Sequence, residues 1–523
     1  MLSRGGRGLA PVLNDRICAM ANSVERSSWI VPVLLTVIYL PIAVLEAARR
    51  PLWNDELFTW YIGALPTLKQ VWGALLTGAE QLPPFFFALT RLAASPGMSE
   101  LTIRLPAILG FWVLMLCLYQ FVSRSCGRLL GGTAALLPCL SGAFYYASEA
   151  RPYGLVLGFT GLALLAWQRA GAGRTVPWSL LLWTALACAY SCHYYAVFIA
   201  VPIAAGELAR FVKTRRIDIP VWLAIVLSPA VLVLYLPLLR AAHSFSVHFW
   251  ARPEIAELKH TLLDLTNPAR AVLFGIAVLL CISLSRITRT AVSSPGTVSM
   301  PFAEIVVAVA FALLPFYVLL AAKALGGGYT ERYVITGIIG FALLICFGLQ
   351  WLVPNLRALQ LAALVLSGMV FVSHQLLHYR DSIETQRSGQ LATYRFLERN
   401  SGDQPIIIGD PHLFFELSHA FHGRKLEMIY AADPQLALHY TGTDSVERSL
   451  MAMARFAPLK VVPWEDLSRT GRSYLIYGAP WAYDWLVRLI SSGRYRTQVV
   501  ARDDAFNYLF RISGSESALS STQ

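Results

Sequence analysis

The sequence predicts an α-helical polytopic membrane protein with a small soluble α/β domain at its C-terminal end. Three observations predict it. Hydrophobic residues fill 56% of the 523 positions against 14% charged, with a mean hydropathy of +0.54, which leaves too little polar side chain to cover one water-soluble globule. Apolar stretches near bilayer-crossing length recur about eleven times before residue 378. After residue 379 the pattern changes to short β-type runs alternating with helical ones.

Residues 1–28 carry Arg4, Arg7, Arg16 and Arg26 with no obvious small-residue cleavage site before the first apolar run. They read as a cytoplasmic N-terminus leading into a retained span. A span needs about 20 apolar residues to cross about 30 Å of hydrocarbon. Candidates within the 29–378 membrane domain fall near 29–47, 104–123, 128–147, 152–170, 176–191, 194–210, 219–239, 269–285, 302–322, 333–352 and 356–376. PPFFFALTRLAA (83–94) is too short to cross and reads as an interfacial helix in the first external loop.

Orientation follows from Lys and Arg, which accumulate in short cytoplasmic loops. Arg124 and Arg128, then Arg169 and Arg174, then Arg210, Lys213, Arg215 and Arg216, then Arg286 and Arg289 occupy alternate connections on the side of the basic N-terminus. An odd number of spans then places residues 379–523 outside, which is the periplasm if the source is a Gram-negative bacterium. In that tail IIIGD (406–410), LEMIY (426–430), LKVVP (459–463), SYLIYG (473–478), TQVVA and YLFRI read as strands, and alternation with helices argues for one open α/β sheet. GDPH and YGAPW at strand ends serve either as helix-entry turns or as ligand-binding turns.

The net charge of +12 is spread in small groups beside apolar runs and forms no basic stripe, which argues against nucleic acid. The eight cysteines contain no CxxC pair, so neither a disulfide framework nor a cysteine zinc site is signalled.

With this topology the remaining polar clusters fall on the outer face, at span ends. Asp55 and Glu56 lie in the first external loop, and SEARPYGL (148–155) in the second. SCHYY (191–195) marks the third, His243, His248, Arg252, Glu254 and His260 the fourth, and GGGYTERY (326–333) the fifth. Taken singly each has a plainer role: Asp55 and Glu56 as helix caps, Glu149 with Arg151 as an interfacial ion pair, His193 in an aromatic belt, Arg332 as a snorkelling anchor. Their shared side points instead to one cavity. A coupled transporter places acids near mid-span, whereas these span centres are almost free of charge.

WNDELFTWYI, QLPPFFFALTRLAA followed by SELTIRLPAILGFW, YYASEARPYGLVL, CHYYAVFIA and ERYVITGIIGFALL together resemble the bacterial branch of the protein O-mannosyltransferase superfamily. These are GT-C fold glycosyltransferases that use polyprenyl-phosphate sugars, grouped with family 39 and the lipid A aminoarabinose transferases. The resemblance spans roughly residues 30–350 and implies an inverting enzyme that moves a sugar to an acceptor hydroxyl at the outer face of the inner membrane.

It implies Asp55 as the catalytic base, Glu56 as a catalytic-site carboxylate beside it that shapes the site, and Glu149 as acceptor- or sugar-positioning group or second catalytic carboxylate. A sugar hydroxyl needs such a base as its bond to C1 forms. Arg332 and Arg151, with Arg252 third, suit the phosphate leaving group. Tyr153, Tyr194 and Tyr333, with His193, suit the sugar.

The implied partners are the polyprenyl-phosphate sugar donor, membrane lipid, and a glycolipid, polysaccharide or protein acceptor chosen by the first loop, the fourth loop and the external domain. Where many relatives have His-Pro-Pro or an acidic-basic pair before the two prolines, this chain reads Gln81-Leu82-Pro83-Pro84. A divalent metal is therefore not supported, and no metal ligand or other cofactor is assigned. The alternatives are a lipid-linked saccharide flippase, or a glycan polymerase or ligase on the same scaffold.

Overall fold

The structure is a computed structural model that describes residues 9–266, 275 and 300–513, apart from 353, 355, 403, 471, 481 and 482. Apart from Gly275, the span expected at 269–285 lies outside the described residues, as does the tail beyond 513. Six described helices are long and apolar enough to cross a membrane: Ile30–Arg49, Glu100–Cys126, Thr175–Cys192, Tyr194–Thr214, Ile219–His243 and the Arg357–Leu377 portion of a longer helix. Phe302–Ala312 with Leu314–Leu325, bent by 51°, makes a seventh. The chain is a multi-pass membrane protein.

Several stretches expected as single spans are interrupted, and proline accounts for the breaks because it removes an N–H donor and clashes with the preceding turn. The stretch at 128–147 is α-helical only over Arg128–Leu136 and continues through the 3-10 turns Pro138–Leu140 and Gly142–Ala147. Ile219–Leu227 passes into a 3-10 segment, Ser228–Tyr235, that contains Pro229. The bent pair turns at Leu313, just before Pro315.

Glu100–Cys126 and Tyr153–Ala170 pack backbone to backbone. A Cβ on Gly110, Gly154 or Gly158 would overlap, in turn, the carbonyl oxygen of Gly154, Ala107 or Gly110. Small residues drive association where lipid removes the hydrophobic incentive to pack.

Arg357–Ser401 is one helix of 45 residues, about 67 Å long at 1.5 Å per residue. The expected boundary at 378/379 falls inside it, and the helix links the membrane part to the sheet. The strands are β1 (Ile406–Ile408), β2 (Met428–Ala432), β3 (Val461–Pro463), β4 (Tyr474–Gly478), β5 (Arg496–Arg502) and β6 (Tyr508–Ser513). Their spatial order is β3-β2-β1-β4-β6-β5. The first four pair in parallel, and β6 joins β4 and β5 antiparallel.

The sheet domain docks on the membrane part through two short helices, Asn54–Gly63 and Pro411–Ala420. Phe58 meets Phe415 edge-on at 5.1 Å, Tyr61 stacks on Phe415 at 5.8 Å, and the Tyr61 hydroxyl bonds His419 Nδ1 at 3.0 Å. Because the paired residues ascend together, the helices run parallel and their N-terminal turns lie at the same end. The fourth external loop adds hydrogen bonds from Arg252 to Gly442 O (2.9 Å), from Thr443 to His248 O (2.6 Å) and from Arg448 to Ser244 O (2.9 Å).

Placing a large side chain at the glycine seam tests this packing. Gly158→Leu is expected to cut the yield of monodisperse protein in detergent several-fold, measured by size-exclusion chromatography, whereas an unchanged yield would mean the two helices do not meet there.

Candidate active site

The helix Asn54–Gly63 starts after Pro51 and Leu52 with two acids, Asp55 and Glu56, in its first turn, where the helix dipole favours negative charge. Neighbouring residues on a helix point about 100° apart, so the dyad divides. Asp55 faces a cavity of about 1030 Å³, and Glu56 does not line it.

Glu56 is fully buried against Arg104, which is also fully buried. Arg104 Nε and Nη2 donate to its two carboxylate oxygens at 2.7 and 2.5 Å, and Ala150 N–H adds a third bond at 2.7 Å. The remaining Arg104 donors reach the carbonyls of Ala47, Arg50 and Pro51 at 2.6–3.1 Å. Burial opposes the Glu56 charge, but Arg104 and then Arg50 outweigh it and hold the carboxyl below its ordinary range. Glu56 also accepts from Trp53 N–H at 3.4 Å, the capping role. The catalytic expectation for Glu56 is thus replaced by an anchoring one, since its oxygens are spent on Arg104 and backbone.

Asp55 lies between two guanidiniums. Arg332 Nη1 is 2.6 Å from Asp55 Oδ2, and Arg151 Nη2 is 3.9 Å from the same atom. Arg151 Nη1 also donates to the Asp55 carbonyl (3.2 Å) and to Glu80 Oε2 (2.5 Å). Burial pushes the Asp55 carboxyl up, but Arg332 and then Arg151 outweigh it, so it stays ionised below its ordinary range. The Nε–H of each arginine is buried without a hydrogen-bond partner among the described residues, an expensive state for a charged group. Arg332 also lies 5.1 Å from the centre of the Trp250 ring.

Aromatic side chains wall this floor. Tyr153, His193, Tyr194 and Tyr333 all line the cavity. The His193 ring lies 5.5 Å from Tyr153 and 5.0 Å from Tyr333, and its Nδ1 accepts Tyr195 N–H at 3.3 Å. Burial first, then Arg151 and Arg332, push its pKa down to about 3, so it stays neutral. Arg252 lines the rim, tied to Gly442.

Glu149 does not line the cavity. Its Oε1 accepts Trp53 Nε1–H at 2.7 Å. Burial, and next the Glu56 charge, raise its pKa to about 8, so at neutral pH it holds a proton. The structure therefore gives Glu149 the work of holding Trp53, itself a lining residue, and not direct contact with a ligand. Among the described residues no three His, Cys, Asp or Glu side chains are placed to hold a metal ion, and His248 pairs with Asp444 at 3.7 Å.

No protein-family model matches the chain, and no curated protein matches it in sequence. Solved structures do. The crystal structure of ArnT from Cupriavidus metallidurans bound to undecaprenyl phosphate aligns over 93% of this chain and 98% of that one, at 14% identity and a TM-score of 0.53. The chain has the GT-C fold.

The same transferase in the apo state aligns over 92% and 97% at 14% identity and a TM-score of 0.46. The oligosaccharyltransferase of Archaeoglobus fulgidus, in complex with Zn and sulfate, aligns over 93% and 73% at 12% identity and a TM-score of 0.42.

On this GT-C fold several site residues escaped the sequence reading. Arg104 carried a signal: a lone arginine inside the apolar helix Glu100–Cys126 needs a buried partner. Glu80 stands one residue before the Gln81-Leu82-Pro83-Pro84 departure and supplies an acid there. His412, Glu416 and Tyr483 reach the cavity from the sheet domain, a convergence that sequence spacing does not encode.

The Glu56–Arg104 pair carries a pH-dependent prediction. A carboxyl held below its ordinary value contributes stability above the usual carboxylate range, which is lost as pH falls through the folded-state value. Glu56→Gln is expected to destabilise the fold at neutral pH by about 3–5 kcal/mol, the loss typical of breaking a buried pair, seen as a lower unfolding midpoint, and to flatten the acid dependence. Thermal unfolding in detergent at about pH 4 and pH 7 checks this, and an unchanged midpoint at neutral pH would contradict the anchoring role.

Proposed function

We propose that the protein is an inverting glycosyltransferase that moves a sugar from a polyprenyl-phosphate donor to an acceptor hydroxyl, with Asp55 as the base. The observation that carries this reading is the Asp55 carboxylate held between Arg332 and Arg151 on the floor of one aromatic-walled cavity.

Each part of the floor suits one part of the reaction. A guanidinium offers phosphate a bidentate, permanently charged partner, and two parallel helix N-termini add positive potential at the same end. In the free protein Asp55 competes for these guanidiniums. A donor phosphate binding Arg332 and Arg151 loosens that pairing and restores basicity to Asp55. The acceptor hydroxyl then attacks C1 as Asp55 takes its proton. The C1–O bond to phosphate breaks, and its electron pair leaves with the polyprenyl phosphate. One displacement inverts the anomeric carbon, and no covalent sugar-enzyme intermediate is needed.

The membrane setting follows from the donor. Each buried CH₂ of its lipid stem is worth about 0.8 kcal/mol, so the site comes to the lipid. Arg124 and Arg169 lie at the ends of the Glu100–Cys126 and Tyr153–Ala170 helices remote from Arg104 and Tyr153, which supports a cavity on the face away from the cytoplasm. By that rule the N-terminus lies inside and the sheet domain outside, and the polyprenyl-phosphate reading places the chain in a bacterial inner membrane.

Asp55→Asn tests the reading. The variant is expected to stay folded and membrane-embedded while transfer falls about 10²–10⁴-fold, the usual contribution of a positioned base, followed by mass spectrometry of the glycosylated product. Full activity would remove Asp55 from the chemistry, and movement of lipid-linked sugar across vesicles with no new glycosidic bond would favour a carrier.

A further inference from the structure

The sheet changes direction of growth between β1 and β4: β2 and β3 extend it on one side of β1, and β4 lies on the other. In open α/β sheets the crevice at such a switch point, outside the C-terminal strand ends, is where ligands bind. Two turns lie there: GDPH, after β1, and Tyr483-Asp484, which leads into the helix Trp485–Leu489.

A buried acid, Asp484, packs against both strand ends. Asp484 accepts from Ala479 N–H at 3.0 Å and Val487 N–H at 2.9 Å, and a Cβ on Gly409 or Gly478 would overlap its oxygens, so only glycine admits it at both strand ends. The turns present His412 and Tyr483, with rings 5.0 Å apart, and both line the cavity that holds Asp55. The parallel docking of Pro411–Ala420 on Asn54–Gly63 brings His412, in the first turn of one helix, to the cavity that Asp55, in the first turn of the other, also lines.

The charge of this side is informative. The sheet domain's contribution to the lining includes Glu416 and contains no Lys or Arg, and the fourth loop adds Glu254 and Glu257. The three lining arginines are engaged: Arg332 and Arg151 at Asp55, and Arg252 at Gly442 O. An acceptor with phosphates or carboxylates would meet like charge here. A neutral saccharide would meet what sugars need, an aromatic ring face with carboxylate and imidazole acceptors for its hydroxyls.

We propose that the switch-point turns of the sheet domain form the acceptor subsite of the cavity, in which His412 and Tyr483 receive the hydroxyl of an uncharged saccharide and present it to Asp55. This rests on the transferase reading.

The test replaces the chromosomal copy with the full chain carrying His412→Ala, Tyr483→Phe or Asp55→Asn and compares lipid-linked donor pools and envelope glycans by mass spectrometry. Binding of undecaprenyl phosphate to each purified variant serves as the probe of the donor side. Expected for His412→Ala is a fall in product of about tenfold, the scale of one lost hydrogen bond, with a smaller fall for Tyr483→Phe. Both accumulate donor, and both bind undecaprenyl phosphate as the unaltered protein does.

Full product from both variants, product lost only together with undecaprenyl phosphate binding, or the sugar found on a phosphorylated or otherwise polyanionic acceptor would overturn the subsite. Full product from Asp55→Asn would instead overturn the transferase reading on which it rests.

Discussion

The organising constraint is a charge balance on the cavity floor: one half-buried carboxylate, Asp55, set between two more deeply buried guanidiniums. An unpaired charge at such depth is costly, so Arg332, Arg151, Asp55 and Glu80 have to arrive together. They come from the 3-10 turn Glu331–Val334, the loop before Tyr153, the start of Asn54–Gly63 and the segment before Pro83. The charge balance also explains Glu56. By locking the helix start to Arg104, it decides which way the next residue on the helix surface, Asp55, can face.

The sheet domain extends the same logic outward. Its docking is aromatic, with Phe415 and His419 against Phe58, Tyr61 and Trp60. Ring-on-ring packing of this kind adds orientation to burial. The domain thereby closes one end of the cavity, so that the groups lining it come from both parts of the chain. The long Arg357–Ser401 helix reinforces that placement by joining the two parts without a loop.

Much of the fold was legible in the sequence. The apolar runs, the short Pro84–Ala93 helix and all six strand segments follow from periodicity and composition, because burial and lipid each impose a pattern on neighbouring residues. The interruptions at Pro229 and Pro315 were less legible, since an apolar stretch looks continuous whether its backbone bends or not.

At the site, Asp55, Arg151, Tyr153, His193, Tyr194, Arg252, Arg332 and Tyr333 share one cavity because topology alone put their loops on one side. Glu56 and Glu149 fell outside it because adjacency in sequence says nothing about which face of a turn each carboxylate takes. Arg104 and Glu80 depend on contacts across 48 and 71 positions of chain, and His412 and Tyr483 on how the sheet domain docks, which no local pattern records.

The central claim is that Asp55 occupies the place a lipid phosphate would take on Arg332 and Arg151. Undecaprenyl phosphate titrated into the purified protein, followed by the unfolding midpoint, tests it directly. A ligand at about 100 times its Kd stabilises a protein by about 2.7 kcal/mol. The account predicts that gain for the unaltered protein, little of it for Arg332→Met, and tighter binding by Asp55→Asn, whose competing charge is gone. Equal stabilisation of all three would contradict it.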